Sequence, residues 1–213
     1  MWTHLIKIYW RTLVDLLPMI NPLTTGLFFL NFVEGKEPAH VKRAAFKIGI
    51  YMVISLVIIL LIGESVLHFF GITMPYIRVA GGILIFASGW KILNANKPKT
   101  TQRIEKLNEI LFYPMTIPFT VGGGTIATVL ALDTYVDQNR LSLIYAEEGA
   151  VIVGILTIAI VVIMCCFWAP RIKRFLGEGG ITVVLFTFAL ILLPLGLTVI
   201  WGGLSTLIHQ LVL

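Results

Sequence analysis

The chain has 213 residues, of which 58% are hydrophobic and only 13% are charged. A soluble domain carries about a quarter charged residues, and no soluble core absorbs several apolar runs in series, each near the roughly 20 residues a helix needs to cross a bilayer. The formal net charge of +5 sits largely in short connections between those runs, which speaks for orientation in a membrane and against nucleic acid as a partner.

In chain order the apolar runs predict six transmembrane helices, over residues 10–33, 46–70, 72–93, 113–135, 148–169 and 181–207. The segment before the first, Met1 to Trp10, has neither the charged lead nor the small-residue cleavage site of a signal peptide. A turn holding Gly71 and Pro75 joins the second run to the third, and a polar stretch from Asn94 to Asn108 divides the chain into halves. The runs are continuous rather than alternating, so a β-barrel is excluded. The expected fold class is an all-α integral membrane protein, surrounded by lipid bilayer.

Lys36, Lys42, Arg43 and Lys47 occupy the first connection, Lys91, Lys97, Lys99, Arg103 and Lys106 the third, and Arg171, Lys173 and Arg174 the fifth. Lys7, Arg11, Arg78 and Arg140 are all that the opposite side holds. Basic connections stay in the cytoplasm, so both termini are expected in the periplasm. Trp10, Trp90, Trp168 and Trp201 fall near span ends, where an interfacial belt places them.

Two segments repeat. Pro18-Met-Ile-Asn-Pro-Leu-Thr-Thr-Gly26 and Pro114-Met-Thr-Ile-Pro-Phe-Thr-Val-Gly122 share Pro, Met, Pro, Thr and Gly in register. They lie in the first and fourth spans, as a duplication of three helices requires. Because three is odd, the halves 1–108 and 109–213 would cross in opposite directions, the inverted-repeat plan of many secondary transporters. Pro22 and Pro118 lack an N–H and are expected to break the helical ladder. Interrupted backbone at membrane depth is tolerated where it is buried in protein or lines a wet cavity, and half-helix ends attract charged groups. Asn21, Pro22, Thr24, Thr25 and Gly26 from one segment, and Pro118, Thr120, Gly122, Gly123, Gly124 and Thr125 from the other, form the candidate substrate site. The plainer reading makes the prolines packed kinks and the glycines close helix contacts.

The remaining polar residues are open to two readings. Asp15, one turn from Arg11, is either an interfacial ion pair or a proton-coupling carboxylate. Glu64 reads as interfacial, and Arg78 either snorkels to the headgroups or joins the substrate site. The adjacent Cys165 and Cys166 cannot bridge each other without strain and read as packing residues. His4, His40, His68 and His209 are scattered with no metal-ligand spacing. No Gly-Lys-Ser or Gly-Lys-Thr loop and no nucleophile–base constellation is present, so no cofactor, no metal and no enzymatic activity are expected.

Three stretches carry a family resemblance: Leu16 to Thr25, Phe70 to Gly82, and Pro114 to Thr128. On these the chain resembles the MarC family of bacterial six-span inner-membrane proteins. The resemblance implies kinship with amino-acid exporters and carriers of small neutral amino acids such as glycine and alanine. It departs from the family at Gly122-Gly123-Gly124, where Gly-Pro-Gly is common, and at Phe186, Ala189 and Thr198, where the family has Arg, Gly and Gln. The expected activity is secondary transport of a small solute, coupled to a proton or a sodium ion. The alternatives are a structural or regulatory membrane subunit and a channel. The sequence leaves substrate, direction and homo-oligomerisation open.

Overall fold

A computed structural model describes residues 2–33, 36–94, 111–133 and 141–212. The described residues are helical almost throughout and include no strand. The elements are α1 (Trp2–Ile20), α2 (Pro22–Val33), α3 (Pro38–Phe69), α4 (Met74–Leu93), a π-helix α5 (Leu111–Thr120) and α6 (Gly123–Asp133). A last helical stretch, Leu141–Val212, divides at Gly177, whose φ of 64° and ψ of 177° only glycine adopts without strain. The division yields α7 (Tyr145–Gly177) and α8 (Gly179–Gln210).

Among the described residues five helices are long and apolar enough to cross a membrane: Trp2–Leu30, which takes in α1 and most of α2, then α3, α4, α7 and α8. The fourth expected span, residues 113–135, corresponds to α5 and α6, a shorter interrupted pair in which only Gly123–Leu132 is a regular apolar α-helix. The chain is an all-α membrane protein. Its helices outrun the expected boundaries. The first begins at Trp2 rather than near residue 10, because Ile8, Thr12, Leu16 and Ile20 recur every four residues and form one buried stripe. The fifth extends to Gly177 rather than to about residue 169.

Residue contacts fix the directions. His4 meets Glu147 and Thr12 meets Gly154, so α1 runs alongside α7 in the same sense. Lys42 sits 5.3 Å over the Phe167 ring and Gly49 lies against Ile163, so α3 runs opposite to α7. Tyr51 packs edge-on to Phe112 and Gly63 meets Leu130, placing α5 and α6 parallel to α3. Gly81 against Ala127 and Ile85 against Gly124 set α4 opposite to α6. Successive segments therefore alternate in direction.

The core is apolar, with Leu16, Ile48, Met52, Leu56, Met115, Ile155 and Ile158 fully enclosed. Outward faces are equally apolar, as lipid requires: Ile54, Ile58, Leu61, Val153, Ile160, Leu190 and Leu197 are exposed. Trp10, Trp90, Trp168 and Trp201 are exposed too, in agreement with an interfacial belt. Cys166 is enclosed, as a packing residue should be.

Candidate functional site at two interrupted helices

Asn21 is where α1 ends and α2 begins. Its φ of 46° is left-handed, a conformation that asparagine tolerates better than other non-glycine residues. The ladder stays connected on both sides: Asn21 N–H donates to Leu17 O, and Thr25 N–H donates to Asn21 O, each at 3.0 Å. The side chain caps α2 by accepting the Thr24 N–H on Oδ1 at 3.2 Å. Pro22 occupies the first helical position, where its missing N–H costs nothing. The local sequence Asn-Pro-x-Thr is thus sufficient to stop one helix and start the next.

The second interruption differs in kind. Residues 111–120 wind as a π-helix, and Val121 N–H donates to Thr116 O, five residues back, at 2.7 Å. Regular α-helix resumes at Gly123. The expected break at Pro118 therefore falls later, at Val121 and Gly122, because the wider coil carries the chain through the proline before the ladder gives way.

The interrupted segments lie against each other, with α1 packed on α6 and α2 on α5. That pairing is antiparallel. It sets the two breaks side by side, each flanked by the other segment's halves.

Polar atoms at the breaks fall into two groups. Four threonine hydroxyls are buried and spent on backbone: Thr25 on Ile20 O (3.0 Å), Thr116 on Leu111 O (2.6 Å), Thr120 on Met115 O (3.0 Å) and Thr125 on Thr120 O (3.2 Å). Each reaches five residues back and satisfies a carbonyl near an interruption. The other group is Asn21 Nδ2 and Thr24 Oγ1. Both residues are only 6% exposed, and neither atom has a hydrogen-bond partner. An unpaired buried polar group costs about 1–3 kcal/mol, so two of them one helical turn apart call for an explanation. They present two amide N–H donors and one hydroxyl.

The other expected site residues divide. Gly26 is buried against α7, where a Cβ would stand 2.8 Å from Cys165 O, so its role is close packing. Gly123 and Gly124 face Leu84 and Ile85 of α4, whose side chains occupy the space a Cβ would take. The glycine run thus lets α4 close on α6, while Gly122 forms the bend and its carbonyl accepts Ile126 N–H at 2.9 Å. Pro118 belongs to the π-helix, and its side chain lies outside the described residues. Arg78 is half-buried on α4, one turn from Gly81, and pairs with no carboxylate among the described residues. Asp15 pairs with Arg11 at 3.6 Å with both side chains partly exposed, the geometry of an interfacial pair. Glu64 is exposed at its helix end. Among the described residues no cluster of His, Cys, Asp and Glu could hold a metal ion.

One buried charge escaped the sequence. Glu147 is fully enclosed at the start of α7 and meets His4 Nδ1 at 3.2 Å. The two are far apart in sequence, and no local pattern joins them.

The threonines offer a direct contrast. Thr25→Val removes a made hydrogen bond and is expected to cost about 1 kcal/mol of stability. Thr24→Val removes none, so heating of the purified protein should show no loss.

The architecture can now be set beside known proteins. The profile of the family described as "MarC family integral membrane protein" matches residues 6–208. The chain belongs to the MarC family. Among its relatives are proteins named UPF0056 inner membrane protein MarC from Salmonella paratyphi A, Salmonella typhimurium and Escherichia coli O1:K1. Each is 27% identical over 206 residues, covering 92% of this chain and 93% of the relative. The MarC match takes in both interrupted segments and every candidate site residue. No solved structure matches the chain.

Proposed function

We propose that this MarC-family protein is a secondary transporter of small solutes in the bacterial inner membrane, with its site at the paired breaks. The observation that carries this reading is the pair of buried, unpartnered polar atoms, Asn21 Nδ2 and Thr24 Oγ1, at a helix interruption packed against a second one. A packing kink needs no such donors. A substrate oxygen would satisfy them, and the N-terminus of α2 beside them favours a carboxylate. Small neutral amino acids such as glycine and alanine fit that chemistry, and the family resemblance points the same way.

The alternating directions of the segments support six crossings in two inverted halves, 1–108 and 109–213. Transport would proceed by rocking one half against the other around the breaks. Basic residues cluster where α3 begins and α7 ends, so that end faces the cytoplasm and both termini face the periplasm. Alkaline phosphatase fused after Leu213 should then be active in intact cells; an inactive but full-length fusion would invert the topology.

The test of function is uptake of labelled glycine and alanine into proteoliposomes under an imposed proton or sodium gradient. Saturable uptake that requires Asn21 supports the carrier. Uptake that rises without saturation points to a channel, and no uptake by folded protein removes neutral amino acids from the proposal.

A further inference from the structure

A carboxylate inside a membrane protein is expensive unless paired, and commonly marks an ion or proton path. Glu147 is such a group. Its side chain is 2% exposed within the apolar span Tyr145–Gly177, whereas the His4 side chain that it meets is 56% exposed. One partner is sealed in protein and the other reaches the surface, at the end of the bundle opposite Lys42, Arg43 and Arg171.

We propose that Glu147 is a proton-binding site loaded through His4. A proton taken up by the imidazole passes from Nδ1 to the nearest carboxylate oxygen of Glu147, leaving a neutral imidazole and a neutral acid. No other bond changes. With His4 protonated and Glu147 ionised, the pair attracts across the α1–α7 contact, and once the proton sits on Glu147 only a weaker, neutral hydrogen bond is left between the two. The titratable and charged neighbours that α1 brings to this end are Lys7 and Arg11, α3 brings Glu64 and His68, and α7 adds Glu148 beside Glu147 itself.

The location gives the proton something to move. The α1–α7 contact joins the interrupted helix of the first half to the second half, through His4–Glu147, a 3.3 Å hydrogen bond between the Tyr9 and Thr157 hydroxyls, and close packing of Thr12 on Gly154. Loosening its outer end frees α1, which leads directly to Asn21. The link to transport rests on the carrier reading above, but proton binding at Glu147 does not.

Dicyclohexylcarbodiimide, an apolar reagent that adds to protonated carboxyls, tests the site without any substrate. Protein in nanodiscs is treated across a pH series and the adducts are located by peptide mass spectrometry. The expected result is an adduct on Glu147 that is abundant at low pH and falls at least tenfold as pH rises, is absent in Glu147→Gln, and follows a changed pH profile in His4→Gln. No adduct on Glu147 at any pH, or an adduct that ignores both pH and His4, overturns the proposal. For the transport link, Glu147→Gln should exchange labelled glycine or alanine at the wild-type rate yet lose at least tenfold of its accumulation on a proton gradient. Unchanged accumulation would sink that link. Wild type that labels at Glu147 but carries neither amino acid would count against the carrier's substrate and leave the proton site standing.

Discussion

Replacing Asn21 by glycine is expected to abolish solute uptake while leaving the folded protein as abundant as wild type. The backbone argument comes first. Asn21 holds a left-handed φ of 46°, which glycine adopts freely, and glycine at a helix cap costs only a few tenths of a kcal/mol relative to asparagine. The side-chain argument is separate. Glycine removes both amide donors, and hydrogen bonds to a charged oxygen are worth about 1.5–3 kcal/mol each. Losing both predicts a drop of at least about a hundredfold in kcat/KM, read from initial rates in proteoliposomes. Asn21→Asp sharpens the test, since it keeps the cap oxygen and the shape but exchanges the donors for an acceptor. It should fold and fail equally for a carboxylate substrate. Asn21→Ala is the less informative change, because it adds backbone strain to the loss of the cap. If the glycine variant is folded and transports at the wild-type rate, the unpaired amide is not where substrate binds.

How far the sequence reaches can be judged at particular residues. Apolar runs specify helices because a bilayer leaves the backbone no other option, and Asn21-Pro22 specifies a break because both residues act within one turn. The second break was misplaced for a local reason with a non-local cause. A π-helix carries more residues per turn than an α-helix, so the break at Val121 and Gly122 no longer aligns with the matching prolines. The roles of Gly26, Gly123 and Gly124 depend on which helix arrives opposite them, and nothing near them in sequence names Cys165, Leu84 or Ile85. His4 and Glu147 show the same limit more sharply. Two acidic residues, Glu147 and Glu148, open the fifth apolar run, but only the packed α1 decides which one is enclosed.

Helix seams raise a second strong expectation, at the contact between α4 and α8. Lipid tails are as apolar as leucine, so helices in a bilayer associate through close packing rather than exclusion from water. Here the packing is backbone on backbone. A Cβ at Gly196 would stand 2.7 Å from Phe86 N and 2.8 Å from Gly82 O, and one at Gly82 would stand 2.8 Å from Gly196 O. Further along, Gly203 lies against Pro75 O and Gly89 against Ala189 O in the same antiparallel register. Flexible side chains can yield to an added methyl group, but two backbones in contact can only move apart. Gly196→Ala should therefore cost about 1–3 kcal/mol, and Gly196→Val, with its branched side chain, still more. The readout is the fraction of detergent-purified protein that stays monodisperse on heating, with a large loss of folded yield for valine. Leu197→Ala is the matched control: its side chain is exposed on the lipid face, and its loss removes no packing partner, so its melting should follow wild type. Equal melting of Gly196→Val and Leu197→Ala would mean that α8 is held by contacts other than this seam.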